Sequence, residues 1–375
     1  MTAIFMAGMV VSSCTKEGPA GPAGANGTDG VDGTNGVDGT TTCVECHDAD
    51  QTISSKQFQW ESSAHAAGTA LSRSSSASCS GCHSQQGFML TDGNNPETED
   101  SWVGVSDPLL INCYACHPIH ETYTGADVVN LNYSEQPNWA VTNGKEVDMD
   151  LGKGNLCAHC NQSRKREPTV DMNNLDAMYS GISTHFGPHY SSQSNVMGGF
   201  GAYELAGSAT YPSSNSHANA TNGCVSCHMG FDQASGTGGH NMSINSGSDL
   251  EKACVQCHSD GSMAKEKYDA YYHDYFATID HGDDGNTVNT TSTYSMLGDL
   301  LVEHGVYTKV VDYEGDEPVD VHYNINGGLE INGTLTAAMF NHRFLYQDHS
   351  HGIHNPMYSR ALLINSLEAV QALGK

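Results

Sequence analysis

The chain has 375 residues, and its 43 acidic against 15 basic side chains give a formal net charge of −28. So acidic a chain is unsuited to binding nucleic acid, which needs clustered Lys and Arg, whereas a basic redox partner would be attracted to it. Only 38% of the residues are hydrophobic and Gly alone numbers 41, which is little material for a large aliphatic core.

The N-terminal residues 3–13 form an apolar run that ends in Val11-Ser12-Ser13-Cys14. The run is too short to cross a bilayer and is typical of the hydrophobic part of a signal peptide. Small residues before a cysteine resemble a bacterial lipoprotein processing site, which implies removal of residues 1–13 and acylation of Cys14. A free cysteine in an ordinary secreted chain is the alternative. No Lys or Arg precedes the run, unlike a usual signal peptide, and we expect no transmembrane helix after it.

Glycine occupies every third position from Gly18 to Gly39. This is the Gly-X-Y pattern of collagen, but only Pro19 and Pro22 add to it and the repeat is short for a stable triple helix. We therefore interpret residues 14–42 as a flexible tether rather than a trimerisation stalk. The remaining residues, 43–375, form the predicted functional domain.

Paired cysteines recur six times along this domain, and five of the pairs are followed at once by a histidine. C-x-x-C-H is the attachment signature of c-type haem, in which both thiols bind the porphyrin and the histidine binds the iron. The five complete motifs contain Cys43, Cys46 and His47; Cys79, Cys82 and His83; Cys113, Cys116 and His117; Cys224, Cys227 and His228; and Cys254, Cys257 and His258. Zinc sites, disulfides and thiol redox pairs also use C-x-x-C, but none of them requires the histidine. The motifs predict haem c, with buried porphyrins taking the place of much of the missing core.

The sixth pair, Cys157 and Cys160, is followed by Asn161 instead of histidine. Its thiols still predict a sixth haem, but an amide is a poor iron ligand, so the iron either recruits a distant histidine or keeps an open position for a small molecule. The basic run Arg164-Lys165-Arg166 follows. It would either attract an oxyanion such as nitrite or pair with haem propionates and backbone carbonyls.

Electron-transfer haems usually need a second axial ligand, and the chain has fifteen histidines outside the five motifs. We select those with the most suggestive local context, namely His65, His120, His185, His217, His240 and His354. His189 brackets Phe186-Gly187-Pro188 together with His185 and is considered with it.

The connecting segments are rich in Gly, Ser, Asn and Thr and show weak periodicity, so we expect short helices and long loops wrapped on haem, in a mainly α-helical multihaem fold with extensive coil. The predicted helices are Phe58–Ala70 with His65 turned inward, a helical region from Glu251 to Ile279, Ser295–His304, Thr334–Tyr346, and a last helix that starts at Asn355-Pro356 and runs to Leu373. The alternating patterns at Val306–Tyr313, Val319–Ile325 and Leu329–Ile331 predict a small β excursion near 306–332.

Several stretches look like those of a known family. Trp60–His65 reads W-x-x-S-A-H, His185–Pro188 leads through Gly198-Gly199 and Tyr203-Glu204 to Cys224–Met229, and Asp348–Leu363 lies in the C-terminal part. These resemble multihaem cytochromes related to ammonia-forming nitrite reductase and hydroxylamine oxidoreductase. The resemblance implies a fold built around stacked and perpendicular haem pairs, mostly with two histidine ligands. The nitrite reductases have Lys where this chain has Asn161.

This family includes both carriers and enzymes. The sequence favours an exported, lipid-anchored cytochrome of the cell envelope, at the outer membrane and facing the surface, that exchanges electrons with other redox proteins or extracellular acceptors. The alternatives are a reductase of nitrite, hydroxylamine or a sulfur oxyanion at the Cys157/Cys160 haem, and a subunit of a cytochrome filament. Contact with the membrane is expected only through the lipid.

Overall fold

The computed structural model describes residues 43–44, 46–47, 52–68, 70–91, 103–142, 144–164, 168–230, 239–244, 247–255, 257–278, 292–315 and 317–374. The chain divides between Gly39 and Thr40, and every described residue belongs to the second unit. The predicted signal peptide, Cys14 and the Gly-X-Y tether lie outside the described residues, as do Lys165 and Arg166.

The described chain is mostly helical, with long stretches of coil between short helices, which confirms the predicted fold class. In chain order the helices are α1 Thr52–Glu61, α2 Ala64–Ala67, α3 Ala77–His83, α4 Gln85–Leu90, α5 Cys113–Cys116, α6 Ala126–Val129, α7 Asn155–Ala158, α8 Gln193–Gly198, α9 Cys224–His228, α10 Gly247–Cys254, α11 Gly261–Tyr275, α12 Thr293–Glu303, α13 Gly333–Asp348 and α14 Pro356–Gln371. Single 3-10 turns occur at Leu71–Ser75, Gly152–Gly154 and Gly239–Asn241.

Four strands form two small antiparallel pairs. β2 (Tyr307–Glu314) and β3 (Glu317–Ile325) make a hairpin in which Tyr307 pairs with Ile325. β4 (Leu329–Asn332) pairs with the distant β1 (Met178–Ile182). The predicted β excursion near 306–332 is therefore confirmed.

The hydrophobic core is concentrated in the C-terminal half, where α12, α13 and α14 pack together with the hairpin. Leu301, Phe340 and Leu362 are fully buried there. Asn side chains fix the starts of the two long helices: Asn332 accepts a hydrogen bond from Leu335 N, and Asn355 accepts one from Tyr358 N. These ends match the predicted helices closely, because capping residues mark them in the sequence.

The N-terminal part of the domain has a different character. Phe88 and Ala115 are buried, but Phe58, Leu109 and Val129 expose 71%, 54% and 68% of their surface. These exposed apolar side chains occur in the region that contains the first three cysteine motifs. Such exposure is expected if a bulky apolar group packs against them.

Two predicted helices are interrupted. Phe58–Ala70 is divided because Ser63, whose N–H bonds Trp60 O, caps the new helix α2 by accepting from Ala66 N. His65 is consequently exposed on α2 rather than turned inward. The region after Glu251 is interrupted at the fifth complete motif: α10 ends at Cys254, and Asp260 caps α11.

No helix in the part of the chain that the structure describes has the length and apolar character needed to cross a membrane.

Candidate haem centres

Short helices place the two cysteines of several motifs on one side of the backbone. α3 contains Cys79 and Cys82, α5 contains Cys113 and Cys116, and α9 contains Cys224 and Cys227. Residues three apart in a helix are neighbours on its surface, so both thiols point to the same side and the histidine that follows ends the turn. The described cysteines of all six motifs are free thiols. The local fold therefore presents these three pairs as the signature requires.

Histidines from distant parts of the chain face four of the motif histidines. The ring centroids of His47 and His120 lie 6.4 Å apart, those of His83 and His189 6.1 Å, those of His117 and His240 6.2 Å, and those of His228 and His354 6.3 Å. Each pair joins one motif histidine to one histidine outside the motifs.

These distances suit two ligands of one metal. An imidazole nitrogen binds a transition metal at about 2.0 Å and lies about 1.1 Å from its ring centre, so imidazoles on opposite sides of one metal have centroids about 6.2 Å apart. Direct ring stacking would bring them closer: Tyr294 and His342 stack at 3.9 Å. With a thiol pair beside each motif histidine, the residues fit a haem held by two thioethers and two imidazoles.

Hydrogen bonds to Nδ1 leave Nε2 as the ligand atom in several of these rings. Nδ1 of His117 lies 2.8 Å from Asn130 O, and Nδ1 of His228 lies 2.9 Å from Met242 O. A backbone carbonyl can only accept, so each Nδ1 carries the proton and Nε2 is free to bind a metal. His354 differs, because its Nδ1 lies 2.6 Å from the carboxylate of Asp348.

The surroundings of three of these imidazoles lower their pKa and so favour the neutral form, which can bind a metal. Burial, aided by Lys56 and His117, lowers the pKa of His240 to about 4. The pKa of His83 is lowered by burial and then by Arg164 and Arg73, and the pKa of His228 is lowered mainly by burial. Burial would also lower the pKa of His354, but the charge and hydrogen bond of Asp348 outweigh it and the pKa is raised.

Two of the second histidines have a strained backbone. His120 and His189 adopt φ values of 63° and 74°, in the left-handed region that is uncommon for residues other than Gly, although Asn, Asp and His enter it more often than the rest. Such a conformation costs on the order of 1–2 kcal/mol and persists where surrounding structure imposes it, often at functional sites. The strain supports a role for the positions of these two rings.

Three of the six selected second histidines, His120, His240 and His354, face a motif histidine; His65, His185 and His217 do not. His185 is exposed, and its neighbour His189 occupies the position opposite His83. Nδ1 of His217 lies 2.7 Å from Ile353 O, beside the loop of His354. Among the described residues no histidine ring faces His258. From the sequence we selected His185, and the local pattern around Phe186-Gly187-Pro188 held no signal that would have favoured His189.

The amide of Asn161 is turned back onto its own motif. Its Nδ2 donates to Cys157 O at 2.9 Å, and its backbone N–H donates to the same carbonyl at 3.0 Å. Asn161 therefore closes the short helix α7 instead of reaching across a haem face.

Arg164 is buried and lies against the second motif. Its guanidinium donates to Ser78 O, next to Cys79, and its backbone N–H donates to Pro188 O. Of the two uses predicted for the basic run, Arg164 shows the pairing with a backbone carbonyl.

Thiol contacts order the motifs in space. The neighbouring thiol of Cys160 lowers the pKa of Cys82, and that of Cys157 raises the pKa of Cys224, so each of these two pairs of thiols lies close together. Charge on Cys257 and Cys254 raises the pKa of Cys227, after burial, to about 11, so the last two motifs are also close. The atypical motif Cys157/Cys160 thus lies between the second and the fifth cysteine pairs.

No group of three or more His, Cys, Asp or Glu side chains suited to a bare metal ion occurs among the described residues. No family model matches this sequence, and no curated protein matches it. A solved structure similar to it is the crystal structure of the outer cell wall cytochrome OcwA, with a TM-score of 0.47 and 16% sequence identity. The match covers 84% of this chain and 50% of that chain, so this chain spans about half of its length.

Proposed function

We propose that this chain is a multihaem c-type cytochrome that carries electrons along a series of covalently bound haems at the cell envelope. The observation that carries the proposal is the set of four imidazole pairs, at 6.1–6.4 Å between centroids, each beside a C-x-x-C thiol pair. Haem supplies reversible one-electron transfer between its ferric and ferrous states.

The chain's own residues hold and tune these groups. The motif thiols anchor each porphyrin, and six haems attach through the six pairs. The four imidazole pairs would hold four of the irons, and haem held in this way would supply electron transfer rather than substrate binding, which suits a carrier. Carbonyls such as Asn130 O and Met242 O fix the ring tautomer and orientation, so little rearrangement accompanies a change of charge.

Adjacent motifs support transfer from haem to haem. Contacts between Cys82 and Cys160, between Cys157 and Cys224, and between Cys227 and the last pair bring four attachment sites into one continuous series. The haem proposed at Cys157 and Cys160 would lie inside this series. A haem at this position is needed for electrons to pass along the series, whichever ligands bind its iron.

The location at the envelope rests on the N-terminal sequence. The processing-site pattern before Cys14 and the Gly-X-Y tether support an exported lipoprotein whose haem domain is held away from the outer membrane. The net charge of −28 favours basic redox proteins as partners, with extracellular acceptors as the other class.

The test is to produce the full chain in a host that attaches haem c, and to measure covalent haem by peptide mass spectrometry and spin state by EPR. We expect six haems, with at least the four paired irons low-spin in the oxidised protein. A double Cys157→Ser, Cys160→Ser variant serves as the matched control and should lose one haem only. A chain that binds zinc or forms disulfides at these cysteines, without haem, would overturn the proposal.

Further measurements on the same protein distinguish the carrier from a reductase and from a filament subunit. A high-spin signal worth about one haem that changes on addition of nitrite or hydroxylamine would favour a reductase at Cys157/Cys160. Elongated particles in negative-stain images of the delipidated protein would favour a filament subunit. All-low-spin iron that does not respond to either compound, in a monodisperse protein, supports the carrier.

A further inference from the structure

The fifth cysteine pair has an imidazole whose orientation is set by a carboxylate. His354 faces His228, and its Nδ1 lies 2.6 Å from Oδ1 of Asp348. The Asp348 side chain has no exposed surface, and that of His354 is 14% exposed. The pair is therefore a buried carboxylate–imidazole contact shielded from solvent.

A compact loop builds this contact. Asp348 is the last residue of α13, His349 adopts a φ of 55°, and Gly352 a φ of 82°, so the chain folds back within a few residues. A side chain on Gly352 would meet the Tyr271 hydroxyl and the Phe276 ring, so only glycine fits this turn. Ser350 joins both partners: its hydroxyl donates to Asp348 Oδ2 and accepts from His354 N.

Stability alone does not account for a carboxylate at this place. The carboxyl end of a helix carries partial negative charge, which disfavours an acidic side chain there. Burial of an ionised group adds a desolvation penalty that the hydrogen bonds from His354 and Ser350 offset only in part. The position is unfavourable for Asp348 by itself, and this points to a role in its effect on His354.

The other oriented imidazoles provide the contrast. The carbonyls that face Nδ1 of His117 and His228 are neutral acceptors, whereas Asp348 brings a full negative charge to Nδ1 of His354. A carboxylate that accepts this proton makes Nε2 a more basic ligand and adds negative charge near the metal. Both effects favour the more highly charged ferric iron over the ferrous one.

We propose that Asp348 is a positioning residue that lowers the reduction potential of the haem attached to Cys224 and Cys227, below the value that two carbonyl-oriented histidines would give. The inference rests on the proposed function, since it requires a haem between His228 and His354. This haem lies between the attachment sites of Cys157 and Cys257 in the series. A low reduction potential would make this haem the one that accepts electrons least readily from the neighbouring haems.

The experiment compares the full haem-loaded protein with its Asp348→Asn variant in a spectroelectrochemical titration. Asparagine keeps an acceptor oxygen for Nδ1 but removes the charge. The reduction potential of one haem should rise by about 59 mV. For a one-electron couple this corresponds to a tenfold shift of the equilibrium from the ferric towards the ferrous form. The EPR signal of one low-spin haem should change as well.

Asp312→Asn is the matched control. Asp312 Oδ2 lies 2.6 Å from Nε2 of His322 on the exposed hairpin, so the variant removes the same charge from a similar carboxylate–imidazole contact that faces no paired histidine. It should leave every haem potential and EPR signal in place. An equal shift in both variants would mean a general charge effect and would overturn the inference.

Ser350→Ala provides a second test if Asp348→Asn fails to fold. Removing the hydroxyl that shares the Asp348 charge should strengthen the bond to His354 and lower the potential of the same haem. An unchanged potential in each folded variant overturns the inference while the haem assignment stands. Absence of haem on the Cys224–Cys227 peptide of the unmodified protein would overturn the proposed function at this site instead.

Discussion

The imidazoles of His83 and His189 lie with their centroids 6.1 Å apart and their planes at 68°. His83 ends the second cysteine motif, and His189 belongs to a coil segment that follows β1. The left-handed backbone of His189 and the bond from Arg164 N to Pro188 O hold this segment against the motif. Under the proposed function, this contact would make His189 the second ligand of a haem attached at Cys79 and Cys82.

The first prediction concerns this ligand. His189→Ala should convert one haem from low-spin to high-spin, because no other described imidazole ring lies opposite His83. EPR of the oxidised protein, quantified against total haem, measures the change. His185→Ala is the control: it removes a nearby exposed histidine and should leave every haem low-spin. The opposite result for the two variants would assign the ligand to His185.

The second prediction concerns Asn161. Since its amide donates to Cys157 O, Asn161→Ala should leave haem content and all EPR signals unchanged. The equivalent change in the fifth pair, His228→Ala, removes a ligand and should produce a high-spin signal at one haem. A new high-spin signal in the Asn161 variant would show that the amide binds iron.

The third prediction is a pH dependence of stability. His342 is fully buried, stacked on Tyr294 and near Tyr307 and Tyr323. Burial, and then the charge of Arg343, lowers its pKa to about 3. Between about pH 6.5 and 3 the unfolded chain binds a proton that the folded chain excludes, so the folded state loses up to about 1.4 kcal/mol per pH unit as pH falls through this window.

Denaturant unfolding at several pH values measures this effect. His342→Phe keeps the ring and removes the proton site, so its free energy of unfolding should fall less steeply between pH 6.5 and 3 than that of the unmodified protein. The control His304→Phe changes a histidine that is only half-buried and should leave the slope as it is. Parallel slopes for the unmodified protein and His342→Phe would contradict the assignment of a neutral buried ring.

The fourth prediction tests the C-terminal core. Leu362 is fully buried on α14, so Leu362→Ala should lower the free energy of unfolding by about 2–5 kcal/mol through lost burial and a cavity. Met357 lies on the same helix and is 66% exposed, and Met357→Ala should change stability by no more than about 0.5 kcal/mol. Urea denaturation followed by far-UV circular dichroism compares the two; similar losses would mean that α14 does not pack as described.

The sequence was sufficient where the physics is local. A C-x-x-C-H motif contains both thiols and the motif histidine within about one helical turn, so each attachment site is predicted from five residues alone. The Asn332 and Asn355 caps, the Pro356 helix start and the alternating pattern of the hairpin likewise marked their elements. The helix Phe58–Ala70 failed because two serines compete with the helix through their own hydrogen bonds.

The tertiary structure decided which histidines meet. His240 reaches His117 and His189 reaches His83 only because separate segments pack together, and no spacing in the sequence encodes such a contact. The same holds for the thiol contacts that place Cys157 and Cys160 within the series of motifs. Asp348 began one of the stretches that resemble the multihaem family, but its role was not visible, since only burial and the turn at Gly352 bring its carboxylate to His354. Covalent attachment is a local property of the chain, whereas ligand pairing and the charge around each metal depend on long-range packing.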